Sequence, residues 1–123
     1  MKTLTLSQKI KISLCICNGL AHLHANRVAH RDLKPENILL FTESLIAKIS
    51  DFGASKVVQT MKSNKYVVGT AQYSAPELME VGSTFGVSVD VYSMTIIFYE
   101  LFSERIPFPG TPLQVTRCQF FQT

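Results

Sequence analysis

The first apolar segment of the chain, residues 5–24, fits two patterns of secondary structure. Isoleucine and leucine alternate with polar residues from position 10 to position 16, which is typical of a strand. The same segment also has apolar residues at helical spacing in two stripes, which are Leu6, Ile10, Leu14, Cys17 and Ala21, and Ile12, Ile16 and Leu23. Thr5 and Gln8 match a capping box. The length of the segment favours the helix, so we predict a helix over residues 5–24.

The rest of the chain predicts short strands and one further helix. Two strands are expected over residues 38–41 and 47–49, with a polar turn between them. Residues 51–77 are rich in Ser, Thr, Gly and Ala and have little periodicity, which predicts an ordered but mobile loop. Residues 90–102 carry no charge between Asp90 and Glu100. This run is too short for a membrane and too apolar for a surface helix, so it indicates a buried core helix.

Composition sets the size and class of the protein. A chain of 123 residues and 13.8 kDa corresponds to one domain, and 46% hydrophobic against 17% charged residues is typical of a globular one. The net charge of +3 is too small to indicate a nucleic acid or an anionic membrane as partner, and we expect neither. We find no bilayer-spanning apolar run and no signal-peptide pattern, so we expect a cytoplasmic location.

Candidate chemistry concentrates in four short motifs. They are HRDLKPEN at residues 30–37, DFG at 51–53, GT at 69–70 and APE at 75–77. Each motif alone is weak evidence, since an isolated Asp-x-x-x-x-Asn is usually a capped turn and a lone histidine is usually a packed core residue. Together they have the order and approximate spacing of the protein-kinase signature.

On these motifs the chain resembles the C-terminal lobe of a eukaryotic protein kinase, from about residue 6 to residue 110. Its three aspartates, Asp32, Asp51 and Asp90, all stand where that family has one. The resemblance implies an α+β, kinase-like fold reduced to a mostly α-helical C-terminal lobe with short β-hairpins. Residues 1–123 would then be one partial kinase domain, which ends just past the helix at 90–102 and lacks the N-terminal lobe and the terminal helices.

The resemblance also implies catalytic and cofactor roles, because phosphoryl transfer needs a positioned hydroxyl, metal ions and compensation of phosphate charge. Asp32 would accept or orient the proton of the substrate hydroxyl. Lys34 would place an ammonium group near the transferred phosphoryl group. Asn37 and Asp51 would bind Mg²⁺, with Asp51 holding the ion that bridges the phosphates of ATP. Leu39 would line the floor beneath the adenine.

Other residues of the motifs would support the site. His30 and Phe52 would stack as core links between the catalytic loop and the metal-binding motif that Gly53 completes. Asp90 would hydrogen-bond to backbone amides of the catalytic loop. Glu77 would anchor the end of the activation segment through an arginine that the family has further along the chain.

The same resemblance narrows the substrate and suggests regulation. Lys34 and the Gly-Thr pair that ends at Thr70 are similar to the serine/threonine type, in which Thr70 would contact Asp32 and help to form the platform for the protein substrate. Residues 69–77 are similar to the tyrosine-kinase-like group and to several others. Arg31 beside Asp32 is typical of kinases controlled by activation-loop phosphorylation. The candidate acceptors are Thr60 and Ser63, although any polar loop contains hydroxyl groups.

Three functions stay open. The chain contains no Gly-rich phosphate loop, strand lysine or helix glutamate, so a serine/threonine kinase of this sequence is expected to be inactive alone and to need an N-terminal lobe or another kinase chain as partner. The first alternative is a non-catalytic truncated kinase that binds a protein through residues 70–77. The second is a small-molecule phosphotransferase, which can share the Asp-x-x-x-x-Asn loop. The DFG, GT and APE motifs disfavour it.

Overall fold

The structure is a computed structural model that describes residues 3–52, 56–57, 72–79 and 86–107. Its elements, in chain order, are α1 (Leu6–Ala25), β1 (Val28–Ala29), β2 (Ile38–Phe41), β3 (Ile46–Ile49), β4 (Lys56–Val57) and α2 (Ser88–Ser103). Short 3-10 helices at Pro35–Asn37 and Pro76–Met79 precede β2 and α2. Helices and antiparallel strand pairs in one chain confirm the predicted α+β class.

Helix α1 starts at a reciprocal cap formed by two of its own side chains. Oγ1 of Thr5 accepts a hydrogen bond from the amide of Gln8 at 3.2 Å, and Oε1 of Gln8 accepts one from the amide of Thr5 at 2.8 Å. The pair satisfies backbone donors that the first turn leaves without partners. The helix prediction is confirmed and the strand alternative is wrong. The buried side of α1 carries Ile12, Ile16 and Leu20.

The predicted hairpin is confirmed, with one strand a residue longer than expected. β2 and β3 pair antiparallel from Ile38 opposite Ile49 to Phe41 opposite Ile46. The turn between them includes Leu45, whose φ of 55° is unusual for a residue with a branched side chain.

A second antiparallel pair, β1 with β4, is not predicted from the sequence. Its register places Val28 opposite Val57 and Ala29 opposite Lys56. Two residues are too few to show the alternation that identifies a strand. The prediction of a loop over residues 51–77 is therefore wrong at β4 and at residues 76–77, where a 3-10 helix begins, and residues 53–55 and 58–71 lie outside the described part.

Helix α2 extends the predicted helix by a few residues and is buried along one side. Val89, Asp90, Ser93 and Ile97 form that buried side. The expectation of a buried core helix is confirmed there, whereas exposed apolar residues occupy other positions of α2, which are Val91, Tyr99 and Phe102.

The core lies between α1, β3 and α2, and it includes part of the HRDLKPEN loop. Ile16 of α1 and Ile97 of α2 belong to the same buried cluster as Leu33, which is only 1% exposed. Burial of Leu33 therefore holds the middle of the loop against both helices. A mostly apolar cavity of about 270 Å³ opens beside this cluster, between α1, β2 and α2. No helix in the described part is long and apolar enough to cross a membrane.

Candidate active site

The HRDLKPEN loop is held by a buried carboxylate on α2. Oδ2 of Asp90 accepts the amide hydrogen of His30 at 2.7 Å, and Oδ1 accepts that of Arg31 at 2.9 Å. Asp90 is completely buried, so these bonds form in a water-poor environment where charge-assisted hydrogen bonds are strong. The structure thus contains the contact that we expect for Asp90, and it fixes the backbone just before Asp32.

Arg31 occupies a backbone conformation that needs such support. Its φ of 71° lies in the left-handed region, which a residue with a side chain adopts at an energetic cost. Its side chain is also buried, and burial lowers the pKa of the Arg31 guanidinium, an effect that the negative charge of Asp90 partly offsets. The two hydrogen bonds to Asp90 hold a turn that the sequence alone does not favour.

The ring of His30 joins this loop to the segment that carries Asp51. Its Nδ1 accepts the amide hydrogen of Asp32 at 3.2 Å, so the proton of the neutral ring lies on Nε2, which donates to the carbonyl of Ser50 at 2.7 Å. The rings of His30 and Phe52 are 5.5 Å apart and tilted by 59°. They are in contact as expected. Phe52 is nevertheless 47% exposed in the described structure, so it is not the buried core link that we predict.

Asp32 and Lys34 lie side by side at the surface of the loop. Nζ of Lys34 is 3.6 Å from Oδ2 of Asp32, and their side chains are 25% and 21% exposed. A partly exposed carboxylate next to an ammonium group can accept a proton from a bound hydroxyl while the cation faces an incoming negative charge.

Asn37 connects Asp32 to the residue before Asp51. Its side-chain Nδ2 donates to the backbone carbonyl of Asp32 at 2.7 Å. The backbone carbonyl of Asn37 accepts from the amide of Ser50 at 2.8 Å and from Oγ of Ser50 at 3.1 Å. Because the amide nitrogen of the buried Asn37 side chain is committed to Asp32, Oδ1 is the atom that could bind a cation. Asp51 follows Ser50 directly and is an exposed residue.

This donor set fits magnesium better than zinc or another soft metal. An amide oxygen and a carboxylate are hard ligands, and Mg²⁺ is usually held by few protein oxygens together with phosphates and water. No cluster of three or more His, Cys, Asp or Glu side chains that could hold a metal occurs in the described ranges. A metal bound by Asn37 and Asp51 would therefore need further oxygens from a nucleotide.

The remaining expected site residues lie on β2 or just before α2, or they fall outside the described part. Leu39 is on β2 and is 50% exposed. Glu77 is half-buried in the 3-10 helix before α2. Four expected residues fall outside the described ranges, and they are Gly53, Thr60, Ser63 and Thr70.

Two contacts around the site are not predicted from the sequence. Nε2 of His24, in the last turn of α1, lies 2.9 Å from Oδ2 of Asp90. The hydroxyl of Tyr73 donates to Oε2 of Glu100 on α2 at 2.6 Å. Burial, this hydrogen bond and the negative charges of Glu100 and Glu36 all raise the pKa of Tyr73. Only the position of Tyr73 between the GT and APE motifs gives any signal of its role.

Comparisons with known proteins identify the family of the chain. The family model for the protein kinase domain matches residues 1–122. The chain is 42% identical over 113 residues to the probable serine/threonine-protein kinase gdt4 of Dictyostelium discoideum, a match that covers 89% of this chain and 7% of that protein. It is 38% identical over 115 residues to the proto-oncogene serine/threonine-protein kinase mos of Rattus norvegicus, which covers 91% of this chain and 33% of that protein.

A solved structure of a protein kinase has a similar fold. A chain in the crystal structure of the yeast RNA Pol II CTD kinase CTDK-1 complex matches with a TM-score of 0.84 and 28% identity, over 94% of this chain and 38% of that one. The present chain thus spans well under two thirds of each of these relatives. The family model, the relatives and the fold together establish that the chain belongs to the protein kinase family.

Proposed function

We propose that the chain supplies the catalytic loop of a protein serine/threonine kinase, which transfers the γ-phosphoryl group of ATP to serine and threonine hydroxyls of proteins. The observation that carries this proposal is the hydrogen-bonded connection from Asp32 through Asn37 to Ser50. It supports the proposal because it joins the candidate base to one candidate metal ligand and to the residue before the other. The serine/threonine-kinase relatives support the same substrate class.

In this proposal each polar residue of the loop has one task. Asp32 orients the substrate hydroxyl and accepts its proton, and Lys34 offsets negative charge on the transferred group. Asn37 and Asp51 would hold Mg²⁺, which when bound with ATP neutralises phosphate charge. Leu39 would lie beneath the adenine. Outside the described residues, Thr70 would contact Asp32, and phosphorylation of Thr60 or Ser63 would order the activation segment by pairing with Arg31.

We further propose that this chain is the C-terminal lobe only and that it binds ATP weakly by itself. The lobe that closes over the phosphates would come from an N-terminal lobe or from another kinase chain. The exposed positions on β2 suit such a contact, since Leu39, Leu40 and Phe41 are all at least 39% exposed.

The test compares the 123-residue chain with a complete parent kinase that contains it. Each is incubated with Mg²⁺, ATP and matched peptides that differ only in Ser, Thr or Tyr as acceptor, and phosphopeptides are measured by mass spectrometry. We expect transfer to the Ser and Thr peptides by the parent, and negligible transfer by its Asp32→Asn variant and by the chain alone. The control is Glu43→Gln in the exposed hairpin turn. No transfer by a folded parent would overturn the proposal.

A second candidate is a non-catalytic interaction module, which the exposed apolar side chains of β2 also favour. An immunoblot of source cells with an antibody against a peptide of this chain separates the two. A band several times larger than 13.8 kDa supports the kinase, whereas a band near 13.8 kDa favours the module. A module would in addition bind its partner equally well after Asp32→Asn.

A further inference from the structure

Ser44 carries an exposed hydroxyl in the turn between β2 and β3 that the proposed chemistry does not use. Its Oγ lies 3.5 Å from the carbonyl oxygen of Phe41, so the hydroxyl is only weakly engaged. Several other exposed hydroxyl groups in the described ranges lie within helices α1 and α2, and they belong to Ser7, Ser88, Thr95 and Ser103. A modifying enzyme has to bind the backbone around its acceptor, which an exposed turn allows and an intact helix does not. Ser44 is therefore well placed for covalent modification.

The surroundings of Ser44 are suited to a negative charge. Nζ of Lys11 on α1 donates to the backbone carbonyl of Ser44 at 2.7 Å, although the two residues are 33 positions apart. A second ammonium group, that of Lys48 on β3, lies 5.6 Å from the centre of the Phe41 ring. Glu43 supplies an opposing negative charge in the same turn. An anion on the side chain of Ser44 has the ammonium group of Lys11 within reach, and this attraction offsets the repulsion from Glu43.

The turn lies at the far end of the hairpin that separates the two candidate metal ligands in sequence. Asn37 directly precedes β2, and Asp51 follows β3 after a single residue, Ser50. The open end of the hairpin is closed where the amide of Ser50 donates to the carbonyl of Asn37 at 2.8 Å. The β2–β3 ladder runs from this bond to the turn. A firm connection between the turn and α1 therefore holds the hairpin at both of its ends.

We propose that Ser44 is a phosphorylation site and that its phosphate pairs with Lys11, which fastens the hairpin turn to α1. A separate protein kinase supplies the γ-phosphoryl group of ATP. The bond between Oγ of Ser44 and the γ-phosphorus forms as the bond from that phosphorus to the bridging oxygen of ADP breaks. ADP leaves, and the hydroxyl proton passes to a base of the modifying kinase. The product carries a charge of about −2 and three acceptor oxygens beside an ammonium group.

The first test asks whether Ser44 is modified. The 123-residue chain and its Ser44→Ala variant are incubated with Mg²⁺, ATP and an extract of source cells, and phosphopeptides are mapped by mass spectrometry. We expect phosphate at Ser44 in the natural chain, and loss of that phosphopeptide alone in Ser44→Ala. An extract that phosphorylates casein but leaves Ser44 unmodified would overturn the proposal.

The second test asks whether Lys11 holds the phosphate. The chain is synthesised with Ser44 incorporated as phosphoserine, and amide hydrogen exchange in β2 and β3 is followed by NMR. We expect exchange about threefold slower than in the unmodified chain, as one surface ion pair implies, and no slowing when the chain also carries Lys11→Met. Unchanged exchange, or slowing that survives Lys11→Met, contradicts the pairing.

The matched control is phosphorylation of Ser103, an exposed residue at the end of α2, which should leave exchange in the hairpin unchanged. Equal slowing by a phosphate at Ser103 would reject a local effect of Ser44. Neither test measures phosphoryl transfer by this chain. A complete parent kinase without transfer would therefore reject the proposed function and leave the modification of Ser44 and its effect on the hairpin standing.

Discussion

Tyr73 and Glu100 are joined by a 2.6 Å hydrogen bond that ties the segment before the APE motif to helix α2. The backbone of Tyr73 is tied to the same helix, because its carbonyl accepts from Oγ of Ser93 at 2.5 Å. Tyr73 is only 6% exposed and belongs to the core cluster. Tyr73 is therefore held to α2 through both its side chain and its main chain, in the same core cluster as Leu33 of the HRDLKPEN loop.

Tyr73→Phe is expected to destabilise the protein by about 2 kcal/mol, because it leaves the half-buried Glu100 carboxylate without a charge-assisted hydrogen bond. Urea unfolding followed by circular dichroism measures the change. The control is Tyr99→Phe on α2, where the ring is 51% exposed and the same hydroxyl is removed. Equal unfolding midpoints for the two variants would contradict a structural role for the bond.

The raised pKa of Tyr73 also predicts a loss of stability in alkaline solution. An unfolded tyrosine ionises near its ordinary pKa of 10.0, whereas in the fold burial and the Glu100 bond keep Tyr73 protonated to higher pH. Below that value both states carry the proton, so this group adds no pH dependence. Above it the unfolded state gains ionised tyrosine, and stability falls as pH rises.

The check is the difference in free energy of unfolding between the natural chain and Tyr73→Phe. We expect this difference to be constant up to about pH 9 and to shrink from about pH 10 upward, because only the natural chain has the group. The other tyrosines and the lysines titrate in both proteins and cancel. A difference that stays constant through pH 11 would show that Tyr73 ionises equally in both states.

Asn37→Asp separates the structural role of the Asn37 side chain from its role as an oxygen ligand. The substitution keeps two oxygens for a metal but removes the Nδ2 donor to Asp32 and adds a charge at a site that is 5% exposed. We expect a loss of about 2 kcal/mol in stability by urea unfolding, even without Mg²⁺. Glu36→Gln, at the exposed neighbouring position, should change stability by less than about 0.5 kcal/mol. Unaltered stability of Asn37→Asp would show that the donor is dispensable.

The parts of the fold that the sequence predicts are those determined by near neighbours. The capping bond joins Thr5 to Gln8, three residues later, and the β2–β3 hairpin needs only a short turn. The local sequence pattern therefore predicts both. The β1–β4 pair, in contrast, joins residues far apart in sequence through strands of two residues each. This pairing depends on the path of the chain between the two strands, which the local periodicity of the sequence does not predict.

The same distinction applies to the candidate site. Asp32 and Asn37 are five residues apart, and their motif predicts the loop that the Asn37 side chain closes. His24 and Asp90 are 66 residues apart, and His24 lies outside every motif. The sequence pattern does not distinguish His24 from His22. Only the packing of α1 against α2 distinguishes the two histidines, because it brings one of them to a buried carboxylate.

Gly19→Ala is expected to stabilise α1 slightly, by less than about 1 kcal/mol. Gly19 lies in the interior of the helix, where alanine is favoured by about 1 kcal/mol through backbone entropy. A Cβ at this position would come within 3.3 Å of Cδ1 of Ile49 on β3, a tight contact with the movable end of a side chain. A shift of Ile49 by a few tenths of an ångström therefore keeps most of the gain. Gly19→Leu, which needs far more room, should destabilise the protein by about 1–3 kcal/mol. Thermal and urea unfolding of both variants decide the matter: a destabilised Gly19→Ala would mean that α1 and β3 pack too rigidly for Ile49 to move.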